Sequence, residues 1–216
     1  MKKINRILIP ASIFLSTFSL KALTVGLDNL AFTSSIEILA LVDSSGTPLG
    51  ALDSVEIGFF TDESAVMAGD FSSFNQFGTT LSAVAFGQDG LVSGSYNGLT
   101  SGAEAAFVGQ NITVFVTNST NDEWLVAKTN TLFQSDAGNS SLSTPVNLVS
   151  LNNAGDITYL FGGAAGPSVD YSALSAGIQP SISTAPIPEP STYALFAGIL
   201  SIGFVAVRRR RSRSKA

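Results

Sequence analysis

The sequence predicts a mainly β protein, an antiparallel β-sandwich between two apolar terminal segments. Seven short runs rich in β-branched and aromatic residues lie between residues 36 and 161, and turn-forming residues separate them. No predicted helix is long enough to be the crossover that parallel strands need. The body of about 150 residues is large enough to bury one core without disulfides, and the chain has no Cys. The pattern does not separate a jelly-roll from an immunoglobulin-like strand order.

The first two predicted strands cover residues 36–42 and 55–60. In both runs apolar residues recur at every second position, which is typical of a strand with one buried face. The turn formers 43–48 lie between the runs and predict a long hairpin connection. A short helix is predicted over residues 62–69, with Thr61 or Asp62 as its N-cap.

The later predicted strands share β-branched and aromatic residues flanked by turn formers: 81–86, 112–117, 124–129, 146–151 and 157–161. Residues 112–117 have the clearest alternation. The last two runs are separated by Asn, Gly and Asp, which predicts a second hairpin. The glycine-rich residues 162–167 carry no Lys and open no helix, so they predict a loop rather than a phosphate site.

The composition excludes several kinds of chemistry. Without His there is no imidazole base, no usual serine or cysteine triad and no His-ligated metal. Without Cys there is no thiolate nucleophile and no iron–sulfur cluster. Carboxylate chemistry, calcium binding through oxygen ligands, or no catalysis remain. We expect no catalytic residues, no cofactor and no metal.

Three pairs of acidic residues are the candidates against that expectation. Asp62 with Glu63, and Asp122 with Glu123, are adjacent in sequence, but neither pair belongs to a calcium-loop motif. Glu37 and Glu56 lie on predicted neighbouring strands and could reach the separation that glycosidases use. We expect a solvated face at these two positions.

The charge is unevenly distributed. Ten of the eleven Lys and Arg residues lie in the two terminal segments, whereas residues 23–187 carry fifteen acidic residues and one basic residue, a formal charge of −14. Such a body repels nucleic acid and anionic lipid. The distribution indicates an exported domain, and we expect no nucleic-acid partner.

Residues 1–22 have the layout of a secretory signal peptide. A basic start at Lys2, Lys3 and Arg6 precedes an apolar run of about fourteen residues, and Ala22 is a suitable small residue for cleavage. Pro10 and several Ser and Thr residues lower the hydrophobicity of the run. An uncleaved N-terminal anchor is the alternative interpretation.

The C-terminus contains three features in a fixed order. Pro188-Glu189-Pro190 is followed by an apolar span over residues 193–207 and by an arginine cluster over residues 208–213, which begins with Arg208, Arg209, Arg210 and Arg211. A helix of fifteen residues extends about 22 Å, short of the roughly 30 Å hydrocarbon core. The predicted transmembrane helix therefore needs the interfacial ring of Tyr193 and snorkelling arginines. The positive-inside rule leaves the arginines in the cytoplasm and the body outside.

Glu189, which lies between Pro188 and Pro190, has chemical features that an enzyme could recognise. The two prolines prevent a continuous helix and hold the peptide extended, and the carboxylate of Glu189 can be read by a basic pocket. The order of these parts resembles the PEP-CTERM sorting signal of exported proteins in Gram-negative bacteria. The resemblance implies a membrane exosortase as partner, transient residence in the inner membrane, processing near Pro188-Glu189-Pro190 and delivery to the cell surface. It also implies an association with biofilm and extracellular polysaccharide.

The sequence thus predicts a signal peptide at 1–22, a β-sandwich body at 23–171, a Pro/Ser-rich linker at 172–187 and a sorting signal at 188–213. The predicted function is a non-catalytic cell-surface or extracellular-matrix protein. One alternative is an extracellular polysaccharide-binding module, with Trp124, Tyr96 and Phe115 as stacking groups. A carboxylate hydrolase is a third interpretation, and a permanently tail-anchored surface protein is a fourth.

Overall fold

The computed structural model describes residues 24–32, 35–97, 103–134 and 143–187. In these ranges the chain is mainly β, as the sequence predicts. The strands are β1 (Thr24–Asp28), β2 (Leu30–Phe32), β3 (Ile36–Ile38), β4 (Ala40–Val42), β5 (Ser54–Phe60), β6 (Phe74–Ser82), β7 (Val84–Ala85), β8 (Gln88–Asp89), β9 (Ser93–Asn97), β10 (Asn111–Asn118), β11 (Glu123–Leu132), β12 (Ser143–Asn147), β13 (Ile157–Phe161), β14 (Ala164–Asp170), β15 (Ile178–Ser183) and β16 (Ala185–Pro186). The helices are α1 (Glu63–Met67) and α2 (Leu148–Ala154), with 3₁₀ turns at Ala103–Ala106 and Ser172–Leu174.

The largest sheet has the strand order β13-β11-β10-β5-β6, and β16 also pairs with β11. All of its pairs are antiparallel. Its central strand β10 confirms the clearest alternation in the sequence. Val114 faces the same side as Ile57 and Ala127, its partners on β5 and β11. Phe115 points to the opposite side of the sheet, because successive side chains of a strand alternate.

One face of this sheet contributes to the main core, which also contains residues of the three-stranded sheet β12-β1-β9. The main core includes Val25, Leu27, Val55, Ile57, Phe77, Tyr96, Ile112, Val114, Val116, Leu125, Ala127 and Val146. A second sheet of three strands, β14-β15-β4, adjoins a smaller core formed by Leu30, Ile38, Ala40, Val42, Leu91 and Tyr171. The opposite face of the large sheet carries an aromatic cluster, which consists of Phe60, Phe71, Phe74, Phe115, Trp124 and Phe161.

The short helix is also as predicted. Asp62 caps α1, because its Oδ1 accepts hydrogen bonds from the backbone N–H groups of Ser64 at 3.0 Å and Ala65 at 3.2 Å. Val66 is the buried residue of this helix and joins the aromatic cluster. The predicted strand 81–86 is displaced, since β6 already begins at Phe74.

Two strand pairs are parallel, which corrects the expectation of a purely antiparallel fold. β1 pairs in parallel with β12, and β15 with β4. In each pair the partners are far apart in sequence, and the connection contains other strands instead of one crossover helix. The absence of a long helix in the sequence therefore did not exclude parallel pairing.

The first predicted hairpin is wrong. β4 pairs with β15, whereas β5 pairs with β10 and β6. The turn formers after β4 fold back on that strand instead of leading to β5. Asp43 N–H donates to Thr47 O at 2.8 Å and Leu49 N–H donates to Leu41 O at 3.0 Å, which closes the loop locally.

The second predicted hairpin is wrong as well. β12 ends at Asn147, whose Oδ1 accepts a hydrogen bond from Ser150 N–H at 3.0 Å and caps α2. Gly155 ends the helix in the left-handed conformation, with φ 75°. The apolar run 148–151 is therefore helical. A short apolar run does not distinguish a strand from a helix by periodicity, and here the two caps decide.

The predicted linker at 172–187 belongs to the fold. It contains a 3₁₀ turn, β15 and β16, and the folded body reaches Ile187 instead of ending at residue 171. Pro167 and Pro180 are compatible with the β14–β15 pair because both lie in its register shift, between Gly166 and Val169 and opposite that stretch. Residues 164–167 of the predicted loop belong to β14, so only residues 162 and 163 of it lie outside a strand.

The predicted signal peptide at 1–22 and the predicted membrane span at 193–207 both lie outside the described residues. Among the residues that are described, no helix is both long and apolar enough to cross a bilayer.

Candidate functional site

The predicted sorting residues Pro188, Glu189 and Pro190, together with Tyr193 and Arg208–Arg211, lie outside the described residues. The structure describes the place where the chain leaves the fold toward them. There β16 pairs with the start of β11, with Pro186 opposite Glu123 and Ala185 opposite Trp124. The last described residue, Ile187, directly precedes Pro188.

A buried carboxylate holds this exit. Glu123 is 4% exposed and accepts hydrogen bonds from Ser44 N–H at 2.9 Å, from the Ser44 hydroxyl and from Thr184 Oγ1 at 2.5 Å. Thr184 N–H also donates to Val42 O at 2.9 Å. The loop after β4, the start of β11 and the C-terminal segment are thus joined through one side chain.

Ile187 packs against the end of α1. A Cβ atom added at Gly69 would lie 2.8 Å from Ile187 Cγ2, and the φ of Gly69 is +81°. Both the close approach and the left-handed backbone favour glycine at this position. The C-terminal segment is therefore in contact with the body up to Ile187, the residue before the predicted sorting motif.

Asp43 organises the neighbouring loop. Its Oδ1 accepts hydrogen bonds from Ser45 N–H at 2.9 Å and Thr47 N–H at 2.8 Å, and its Oδ2 accepts one from Asn121 Nδ2 at 3.0 Å. Burial acts to raise the pKa of Asp43, but hydrogen bonds from the Ser45 side chain and from the backbone of the loop together lower it below its ordinary value.

Two clefts open near these elements, each of about 280 Å³. The first, the loop cleft, is lined by Asp43, Thr47, Pro48, Leu49, Gly50, Ala51, Leu52, Asp53, Asn118, Thr120 and Asn121. The second, the amide cleft, is lined by Glu37, Ile38, Leu39, Val149, Asn152, Asn153, Gln179 and Pro180. Oxygen and amide groups line part of each cleft and suit hydrogen bonding, while the rest of each lining is apolar.

The three predicted stacking residues do not form one surface. Tyr96 is fully buried in the main core, and its hydroxyl donates to Val55 O at 2.8 Å. Phe115 is 9% exposed and lies within 5.0 Å of Phe74 in the aromatic cluster, on the other face of the large sheet. Tyr96 and Phe115 are therefore core residues, which corrects their prediction as sugar-stacking rings.

Trp124 also belongs to the aromatic cluster. Its ring centroid lies 5.6 Å from that of Phe71, and the residue is half-buried. Part of the residue stays accessible next to β16. Of the three predicted rings, Trp124 alone keeps a position at which a ligand could contact it.

The predicted carboxylate pair Glu37 and Glu56 is not on neighbouring strands. Glu37 lies on β3, opposite Ala31 of β2, whereas Glu56 lies on β5 of the large sheet and accepts a hydrogen bond from Thr80 Oγ1 at 2.9 Å. The predicted hairpin between residues 36–42 and 55–60 does not form. Glu37 and Glu56 are therefore not side by side on paired strands, as the glycosidase interpretation required.

The adjacent acids serve the fold. Asp62 caps α1 and Glu63 forms a salt bridge of 2.7 Å with Lys128. Asp122 has a left-handed φ of 51° in the turn before β11, and Glu123 holds the exit of the chain. In the part of the chain that the structure describes, no group of three or more acidic, His or Cys side chains could hold a metal ion.

Sequence reasoning missed the roles of Asp43 and Glu123. The order Asp43-Ser44-Ser45 could have indicated an Asx turn, because Asp side chains commonly accept from the N–H two residues on. Nothing in the local pattern marks Glu123 as buried, since its burial depends on a segment 61 residues away. Comparison with protein-family models, with curated proteins and with solved structures gives no match.

Proposed function

We propose that this chain is an exported, non-catalytic protein of the cell surface or extracellular matrix, delivered through its C-terminal sorting signal. The observation that carries the proposal is the charge distribution: a body of formal charge −14 lies between two basic, apolar ends. Both ends retain their basic residues in the cytoplasm and place the body on the other side of the membrane. A membrane exosortase is the proposed partner, and it acts near Pro188-Glu189-Pro190.

The body proposed here is a β-sandwich. The main core combines side chains from the six-stranded sheet with side chains from the sheet β12-β1-β9. Two sheets that share one core are the arrangement typical of a sandwich. The two parallel pairs distinguish it from an immunoglobulin-like order, in which the strands are antiparallel.

The exit of the chain suits processing at the motif. All sixteen described strands precede Pro188, so hydrolysis or transfer there leaves each strand covalently intact. The contacts of Glu123 with Thr184 and of Gly69 with Ile187 keep the last strand on the body. The short span at 193–207, with its arginine cluster, is then a removable tether.

The buried acids support a structural body. Glu123 and Asp43 have their oxygens engaged by loop N–H and hydroxyl groups, so they act as hydrogen-bond acceptors that join segments. A catalytic acid and base need a shared, accessible reacting position, and Glu37 and Glu56 lie in different sheets.

Intact-mass analysis tests the sorting proposal. The full chain would be expressed with and without an exosortase in a Gram-negative host, and the exported form would be isolated. With the enzyme we expect a mass that lacks Arg208–Arg211 and the rest of the tail. Glu189→Gln should prevent processing, whereas Asp170→Asn, an equal change of charge on an exposed strand end, should be processed as the original chain is.

Export of a body that still carries the arginine cluster in the presence of the enzyme would contradict the proposal. Retention of that species in the membrane fraction would instead support the permanently tail-anchored alternative. A cytoplasmic body would contradict both interpretations.

Polysaccharide binding remains a second candidate function, and the amide cleft is the observation that favours it. Glu37, Asn153 and the Asn152 Nδ2 group supply donors and acceptors of the kind that recognise sugar hydroxyls, while both ends of the Gln179 amide are bonded to the backbone. A glycan array with the original chain and with Asn153→Ala would test this function. Binding that Asn153→Ala does not weaken would exclude the amide cleft as the binding site.

A further inference from the structure

The loop cleft contains an unusual acidic side chain. Asp53 is 7% exposed, and its Oδ2 accepts a hydrogen bond from Gly50 N–H at 2.7 Å. The N–H of Asp53 donates back to Gly50 O at 3.1 Å, and Ala83 N–H donates to Asp53 O at 3.2 Å. The backbone and one carboxylate oxygen are therefore fixed by the turn.

The other carboxylate oxygen, Asp53 Oδ1, is buried and has no hydrogen-bond donor among the residues that the structure describes. A buried carboxylate oxygen without a partner loses its hydration without compensation, which is strongly unfavourable. Asp53 is one of the residues that line the loop cleft, and an unpartnered buried carboxylate oxygen beside a cleft is an atom that a positive partner would stabilise.

The body at residues 23–187 has little positive charge of its own to offer. Lys128 is the one basic residue between residues 23 and 187, and its Nζ lies 2.7 Å from Glu63 Oε1. The other polar groups that line the cleft are the carboxylate of Asp43, the hydroxyls of Thr47 and Thr120, and the amides of Asn118 and Asn121. A cation that satisfies Asp53 would thus come from solution, and the carboxylate, hydroxyl and amide oxygens of these lining residues are its available ligands.

We propose that the loop cleft binds one Ca²⁺ ion through Asp53 Oδ1 and through the remaining lone pair of Asp43 Oδ2, which accepts a single hydrogen bond from Asn121, with neutral oxygens of the surrounding loops completing the coordination. The donor set is hard oxygen without imidazole or thiolate, which disfavours zinc and copper. Irregular loop oxygens suit Ca²⁺, which accepts six to eight ligands in flexible geometry, better than Mg²⁺, which needs a strict octahedron.

Two carboxylates make a weak site. No third acidic group joins them within the described part of the chain, so the charge count is that of a low-affinity extracellular calcium module. We expect a dissociation constant of about 0.1–1 mM. The site does not depend on the sorting proposal, because its residues and its ligand are the same in any compartment that contains millimolar calcium.

The ion would have a structural effect at the exit of the chain. It would join the loop after β4 to the turn before β11, at Asn118 and Asn121. Ser44, next to Asp43, donates to Glu123, which in turn holds Thr184. Calcium would therefore stabilise the same loop that keeps the C-terminal segment on the body.

Calorimetric titration and thermal unfolding of the full chain in a mild detergent test the proposal. We expect one saturable Ca²⁺ site, and a melting temperature about 3–10 °C higher in 10 mM CaCl₂ than in EDTA. Mg²⁺ at the same concentration should have a smaller effect. Asp53→Asn should weaken calcium binding at least tenfold, while Asp70→Asn, an equal charge change at an exposed residue outside the cleft, should bind as the original chain does.

A chain that binds no Ca²⁺ up to 10 mM, or an Asp53→Asn variant that binds it normally, overturns the proposal. An equal response to Mg²⁺ overturns the choice of calcium. If Asp53→Asn does not fold, amide chemical shifts of the original chain decide. Calcium should move the signals of Gly50, Leu52 and Asn121, and shifts confined to other parts of the chain overturn the site.

Discussion

At the scale of single residues, the buried hydroxyl groups of two tyrosines link the stability of the fold to pH. Tyr96 donates to Val55 O, and Tyr171 donates to Asp89 O at 2.8 Å. Burial, and secondarily the charge of Glu56, raises the pKa of Tyr96, while burial and the charge of Asp89 raise the pKa of Tyr171 to about 12. Both rings are therefore held neutral well above the ordinary tyrosine pKa of 10.0.

These shifts predict a loss of stability in alkali. Because the folded-state pKa values of Tyr96 and Tyr171 exceed those of the unfolded chain, their contribution is complete below pH 10 and is lost as the pH rises toward the folded-state values. We expect the urea midpoint to fall between pH 10 and pH 12. Tyr171→Phe should unfold about 1 kcal/mol more easily at pH 7, through the lost hydrogen bond, and should lose less stability in alkali.

Urea unfolding followed by circular dichroism at several pH values measures this effect. Tyr96→Phe is the matched variant in the other core. A midpoint that stays constant from pH 9 to pH 12 would show that these hydroxyl groups do not couple ionisation to unfolding.

At the scale of secondary-structure elements, a strict alternation of side chains was sufficient to predict a strand. The run 112–117 specified β10 because one face carries Ile112, Val114 and Val116, while Phe115 faces the aromatic cluster. The runs at 124–129 and 157–161, predicted from β-branched and aromatic residues between turn formers, became β11 and β13. These strands lie in the centre and at one edge of the large sheet, and the sequence predicted the strands but not their pairing.

Other elements depend on contacts that a sequence pattern does not contain. β15 contains Pro180 and directly follows Gly177, so its composition was typical of a linker. Its partner β4 is about 140 residues away in sequence. Likewise, Asp53 and Glu123 are buried by segments that fold onto them, so the local sequence gave no indication of the loop cleft or of the network at the exit.

The contacts of Glu123 with the C-terminal segment lead to a second prediction. Glu123→Ala leaves Ser44 N–H and Thr184 Oγ1 without their acceptor, and the free energy of unfolding should fall by about 2–3 kcal/mol. The pairing of β16 with β11 should loosen most. Hydrogen exchange should accelerate at Thr184, whereas Glu56→Ala, which removes an exposed hydrogen bond to Thr80, should leave Thr184 unchanged. Equal protection of Thr184 in both variants would contradict a special role of Glu123.

At the scale of the whole molecule, the folded body and the predicted linker cannot be separated. β15 lies between β14 and β4, and Ile182 is 5% exposed in the main core. Removal of β15 would expose that core and leave two strands without a partner. The proposed sorting motif thus follows the final strand of the fold directly and is not preceded by an independent spacer.

Truncation distinguishes these two descriptions. A chain from Leu23 to Ile187 should fold and unfold in one cooperative urea transition, whereas a chain from Leu23 to Tyr171 should not, because it lacks β15 and its hydrogen bonds to β4 and β14. A chain that ends at Thr184 removes β16 alone and should fold with reduced stability, since β16 pairs with only two residues of β11.

The relative stabilities of the three truncated chains decide between the two descriptions. If the body needed only residues up to 171, all three would show the same transition, and the segment 172–187 would be a spacer after all. If stability instead falls stepwise as β16 and then β15 are removed, the fold is complete only at the residue that precedes Pro188. A processing enzyme would then meet the motif at the surface of a finished domain, where the edge of β11 and the half-buried Trp124 lie beside it.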